Sequence, residues 1–122
     1  MSTPQPTYRL VTETGDVVAS RVVVAERFGD RLRGLLGRES LGDGEGLCIQ
    51  RSTGIHMFFM RFAIDVAFVD AEGRVLHLCH SIKPWRMSRL VLRSRAALEL
   101  PAGTLQRHGV TAASVLRLEA NT

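Results

Sequence analysis

Along most of this chain apolar residues recur at every second position or in short runs, and only once do they take up a helical spacing. Tyr8 to Val11 and Val17 to Val24 predict two strands, with Thr14-Gly15-Asp16 as the hairpin turn between them. Ala25 to Leu36 predicts the one substantial helix, because Phe28, Leu32, Leu35 and Leu36 fall at i, i+4, i+7 and i+8 on a single stripe. Gly37 supplies its left-handed stop. Gly34, inside that helix at a cost of up to about 1 kcal/mol relative to alanine, points to close backbone packing.

The remainder reads as strands separated by loops. Ser40 to Gly46 is a loop whose alternating glycines lack the Lys-Ser/Thr and the helix start of a phosphate cradle. Leu47 to Gln50 is a short strand, and Ile64 to Val69 with Arg74 to His80 form a hairpin around Asp70-Ala71-Glu72-Gly73. Lys83 to Arg86 is a loop, while Arg89 to Leu92 and Ala97 to Leu100 read as strands. Thr104 to His108 is one helical turn capped by Thr104 and ended by Gly109, and Val115 to Leu118 closes the domain. The pattern predicts an α+β, mostly β, single domain over residues 7–122 behind a short disordered lead-in over 1–6. Its expected architecture is a curled antiparallel sheet or small barrel with one principal helix and one short helical turn.

Composition narrows the class. With 122 residues, 45% of them hydrophobic, the chain suits one domain with a real core. No apolar run approaches the ~20 residues of a membrane span. The start shows no signal-peptide pattern, which leads to the expectation of a soluble cytoplasmic protein. Cys48 and Cys79 lie far apart without a metal-like or C-x-x-C pattern and read as two buried thiols, with a disulfide left open. The net charge of +4 is unevenly spread: residues 73–98 hold Arg74, Lys83, Arg86, Arg89, Arg93 and Arg95 and no acid, while the rest is slightly acidic. This describes a local basic surface better than a general affinity for nucleic acid.

Asp65 and Glu99 are the residues that break the apolar pattern, each standing in a strand of otherwise apolar side chains. A buried carboxylate needs a partner. For Asp65 the hairpin register decides the choice: a plain turn gives it the face of Leu76, Leu78 and His80, and one bulge gives it that of Val75, His77 and Cys79. An Asp–His pair there is either a satisfied polar contact or half of an acid–base dyad. Glu99 reads as the mate of Arg31 or Arg33 on the helix, or as a second carboxylate sharing a cleft with Asp65. The histidines at 56, 77, 80 and 108 show no zinc spacing, so neither metal nor cofactor is expected. Trp85, the only tryptophan, sits in a cationic loop and either stacks on a ligand or covers the core.

Several of these pieces occur together in a known family. Arg31-Leu32-Arg33-Gly34-Leu35-Leu36-Gly37-Arg38, Glu45-Gly46-Leu47, His56-Met57, Ile64 to Asp70, Gly73-Arg74-Val75 and Leu98-Glu99-Leu100-Pro101-Ala102-Gly103 resemble the bacterial and archaeal domain of unknown function 192 over Ala25 to Glu119. The resemblance implies a compact β-rich domain whose activity is unsettled and some of whose members are exported or tied to the cell envelope. Where the family has Trp-Met and then Lys-Asn-Thr, this chain has His56-Met57 and then Phe58-Phe59-Met60, and the family's closing Gly-Asp is Ala113-Ser114. The variant with His56, Phe59-Met60-Arg61 and Pro84-Trp85-Arg86 resembles a subgroup met near type IV-like pilus assembly genes, an association that implies no chemistry.

The leading expectation is a non-catalytic binding or accessory domain. Arg31, His56, Asp65, Trp85 and Glu99 would line a groove for a small polar ligand or protein segment. One alternative is a small hydrolase or lyase using Asp65 or Glu99 with a histidine. The other is binding of an anionic surface or nucleic acid through Arg86, Arg89, Arg93 and Arg95.

Overall fold

A computed structural model describes residues 6–25 and 39–121. The helix predicted up to Leu36, with Arg31 and Arg33, lies outside the described residues apart from Ala25, which ends a strand. Seven strands follow one another: β1 (Tyr8–Thr12), β2 (Val17–Ala25), β3 (Glu45–Gln50), β4 (Ile64–Val69), β5 (Val75–Ile82), β6 (Ala96–Pro101) and, after the helical turn α1 (Thr104–Arg107), β7 (Leu116–Ala120). They form one sheet in the order β5-β4-β6-β3-β2-β1-β7, curled into a half-barrel.

The sheet is antiparallel except at one place: β2 and β3 run parallel, with Val22 opposite Gly46 and Val24 opposite Cys48. This corrects the expectation of a wholly antiparallel sheet. Residues 26–44 give enough chain for the crossover that a parallel pair requires, roughly a dozen residues or more. The expected strand over Arg89 to Leu92 is also absent. That stretch is a loop, held through Val91, which donates its N–H to the Thr53 carbonyl at 2.7 Å.

Both faces of the sheet are covered, which explains why every residue of β4 is buried. One core joins Leu10, Val22, Cys48, Ala67, Val69, Leu98, Leu100 and Leu105. The other joins Leu47, Ile49, Ile55, Met57, Met60, Ile64, Val66, Phe68, Val91 and Ala97. The outermost strands meet at one end, where Leu116 N–H donates to the Gly73 carbonyl at 2.8 Å and Val75 N–H to the Ser114 carbonyl at 3.0 Å. Gly73 has φ +83°, and a Cβ on it would lie 2.1 Å from the Leu116 oxygen, so only glycine fits this seam.

Candidate functional site

Asp65 stands in the middle of the buried strand β4 and is itself fully buried. Its carboxylate accepts two backbone hydrogen bonds. Ser81 N–H donates to Oδ1 at 2.8 Å and Leu105 N–H donates to Oδ2 at 3.0 Å. The first donor belongs to β5 at a residue with φ +52°, close to where the β4–β5 register shifts between Ile64 and Val66. The second is in the first turn of α1. There the cap position is Gly103, at φ +90°, with no side-chain cap bond of its own. Thr104 is therefore not the cap that the sequence predicts; a carboxylate reaching across from β4 takes that role, where the orphan N–H groups of a helix start favour an anion. Asp65 shares its side of the hairpin with Leu78 and His80, yet its acceptor oxygens go to two peptide N–H groups rather than to a histidine.

Glu99 is equally buried but points the other way. In the β4–β6 pairing Asp65 lies opposite Leu100 and Val66 lies opposite Glu99, and from β3 Leu47 also opposes Glu99. Leu100 belongs to the first core, Val66 and Leu47 to the second. Adjacent strand positions face opposite sides of a sheet, so the two carboxylates share no cleft. Glu99 is not without a partner, and its expected mates Arg31 and Arg33 lie outside the described residues.

The same logic separates the thiols. Cys48 packs in the first core and Cys79 against the second, so the disulfide left open by the sequence is not formed and both cysteines are free. Burial pushes the Cys48 thiol up to about 11. Cys79 is also raised by burial, against an opposing effect of Arg89. His77 lies opposite Phe68, with ring centroids 6.2 Å apart, and is lowered from its ordinary value by desolvation and then by the Arg89 charge. Among the described residues no group of three or more His, Cys, Asp or Glu side chains could hold a metal ion.

His56 and Trp85 do come together, on a structure the sequence does not announce. Residues 51–60 and 83–95 pair along their length as an irregular two-stranded ribbon. Arg51 N–H donates to the Arg95 carbonyl at 2.6 Å, Ser88 N–H to the Ile55 carbonyl at 2.9 Å, Met57 N–H to the Arg86 carbonyl at 2.8 Å and Trp85 N–H to the Met57 carbonyl at 2.8 Å. His56 bridges Met87, and its Nδ1 accepts from Phe58 N–H at 3.3 Å. The His56 and Phe58 rings stack at 4.5 Å, and Phe59 meets Trp85 at 4.9 Å with a 59° tilt.

The inner side of this ribbon, Ile55, Met57, Met60 and Val91, is part of the second core. Its outer side should by the usual alternation be polar. Instead it carries Trp85 (59% exposed), Phe59 (65%), Met87 (67%), Leu90 (71%) and Leu92 (81%). Phe59 and Trp85 both sit in the left-handed region, at φ 67° and 68°. Bulky side chains there cost of order 1–3 kcal/mol each and persist only where the surroundings impose them. Among these apolar tips stand seven exposed cations, Arg51, Arg61, Lys83, Arg86, Arg89, Arg93 and Arg95, and residues 51–62 and 83–95 contain no acid. An open depression of about 930 Å³ flanks the ribbon. Arg51, Leu92, Arg93 and Arg95 line one part of it and Asp70 and Glu72 another.

Sequence reading finds Trp85 and the arginines but misses Phe59, Met87, Leu90 and Leu92. Arg89 to Leu92 reads as a strand, and a strand reading does not say which of its apolar residues are covered. The usable signal is the arginine on each side of the leucine run, Arg89 and Arg93, which leaves no polar residue within it for an outer face.

Comparison with known proteins agrees with this architecture. The family profile described as "Uncharacterized ACR, COG1430" (DUF192) matches residues 9–118. A UPF0127 protein of Thermococcus sibiricus is 32% identical over 101 residues, which cover 79% of this chain and 65% of that protein. A UPF0127 protein of Pyrococcus horikoshii is 40% identical over 52 residues, 43% of this chain and 44% of that one. The chain thus spans less than two thirds of either archaeal relative. Two crystal structures share the fold at 23% identity. One, from Sinorhizobium meliloti 1021, is described as a candidate transcription regulator and has a TM-score of 0.76 over 97% of this chain and 96% of its own. The other, of unknown function, from Novosphingobium aromaticivorans, has a TM-score of 0.75 over 92% and 83%.

Proposed function

Because this chain belongs to the family of domain of unknown function 192, which carries no assigned activity, we propose that it is a non-catalytic binding module and that the ribbon of residues 51–60 and 83–95 is its working surface. The observation that carries this reading is the row of large apolar side chains, 59–81% exposed, set among cations on a segment whose reverse side is locked into the core. Large apolar side chains exposed together on one segment and rimmed by polar residues are a mark of interaction sites. The reading keeps His56, Trp85 and the arginines 86, 89, 93 and 95 as binding residues and releases Asp65 to the fold. An acid–base role for Asp65 has little support, since both of its oxygens already accept peptide N–H groups from two different elements.

The test uses 8-anilinonaphthalene-1-sulfonate, a probe that is both apolar and anionic. The folded protein should bind it saturably, with energy transfer from Trp85. The double variant Leu90→Ser/Leu92→Ser should lose that binding at an unchanged melting temperature. Equal binding by both proteins would remove the ribbon from consideration.

A further inference from the structure

Resting on the ribbon reading, the geometry points to one partner class: we propose that this surface docks on an anionic lipid bilayer. Three features select it. The outermost tips are aliphatic as well as aromatic; Met87, Leu90 and Leu92 have no ring face to stack on a base and no polar atom for reading an edge, so they add nothing to a single-stranded nucleic-acid platform. Inserted among acyl chains, they lose the water they now face. Trp85, with an apolar body and one N–H donor, suits the boundary between headgroups and hydrocarbon, and Phe59 rests against it at 4.9 Å. Exposed arginines are interleaved with these tips along the chain: Arg86 beside Met87, Arg89 before Leu90, Arg93 after Leu92. That is the arrangement in which long cationic side chains reach headgroup phosphates while their apolar neighbours sink below them.

An acidic apolar peptide has matching chemistry, but the nearest depression that could cradle one presents Asp70 and Glu72 along part of its lining. The tips of the ribbon carry no acid. Because Ile55, Met57, Met60 and Val91 fix its inner side, the ribbon needs no ordering on contact. The proposal concerns surface docking, not spanning; no helix among the described residues is long and apolar enough to cross a membrane.

The experiment combines vesicle flotation with emission from Trp85, the only tryptophan in the chain. The intact chain is mixed with vesicles of phosphatidylcholine alone, with phosphatidylcholine–phosphatidylglycerol vesicles, and with the latter made from acyl-brominated lipid. It should float with the phosphatidylglycerol vesicles only, shift its emission to the blue and be quenched by the brominated chains. Leu90→Ser/Leu92→Ser should weaken partitioning by about tenfold or more, and Arg86→Gln/Arg89→Gln should reduce its salt dependence. Undiminished flotation of the leucine variant, or flotation without bromolipid quenching, overturns the proposal. So does a Trp85 response to a single-stranded oligonucleotide or an acidic peptide but not to vesicles, although the ribbon would then remain the binding surface. Absence of any vesicle response, together with equal dye binding by the native and leucine-variant proteins, sinks both readings.

Discussion

Asp65 and the leucines of the ribbon break the same pattern in opposite directions. One is a charge where an apolar residue is expected, the others are apolar where polar residues are expected. The fold absorbs the first departure completely, since one N–H from β5 and one from α1 converge on the carboxylate and tie both elements to β4. It does nothing to absorb the second, and it strains two aromatic residues to hold the surface as it is. An anomaly that the structure satisfies internally is architecture; one left open to solvent is the ground for the binding surface proposed above.

The contrast can be broken from either side. Asp65→Ala removes both bonds and leaves the buried Leu105 N–H and the part-buried Ser81 N–H without their acceptor. It should cost about 3 kcal/mol or more in denaturant unfolding, without changing the dye affinity of the molecules that stay folded. Gly73→Ala, which places a methyl group against the Leu116 oxygen at a positive φ, should cost about 2 kcal/mol. Amide exchange should quicken at Val75 and Leu116, the two donors of that seam. Phe59→Gly should behave in the reverse sense. Its side chain is mostly exposed and its φ of 67° suits glycine, so stability should hold or rise by up to about 1 kcal/mol while binding falls. A loss of stability as large as that of Asp65→Ala would make Phe59 part of the architecture as well.

The smallest effects are pH effects. His77 has its pKa held below the ordinary value by desolvation and by Arg89. As pH falls through about 6.5 the unfolded chain takes up a proton that the folded chain does not, so stability should decline until the folded-state value is passed, and His77→Gln should flatten that slope. At the alkaline end Cys48, raised to about 11, should react far more slowly with a disulfide reagent at neutral pH than it does after unfolding in denaturant.

Much of the fold was legible in the sequence because strands announce themselves by alternation and by turn residues such as Gly15 and Gly73. Asp65 and Glu99 stood out because a carboxylate among β-branched and aliphatic residues has few explanations. Their relation to each other was not legible. It depends on the pairing of β4 with β6, and the β4–β5 hairpin is irregular at both ends, between Ile64 and Val66 and between Phe68 and Val69. The parallel pairing of β2 and β3 was hidden for a related reason, since strand direction is a property of the crossover and not of either strand. The ribbon was missed because periodicity locates apolar residues without saying whether anything covers them: Leu90, Val91 and Leu92 look alike in sequence, and only Val91 is inside.

The pairing of Tyr8 with Ala120 has a consequence for how the protein is made. One side of β1 is hydrogen-bonded to β2, and the other waits for β7, which is translated more than a hundred residues later. A nascent chain that has already formed the rest of the sheet therefore offers β1 as an unpaired edge until β7 clears the ribosome, and any other extended segment can compete for it. Delay in reaching β7, or its loss, should therefore appear first as aggregation rather than as a fall in stability.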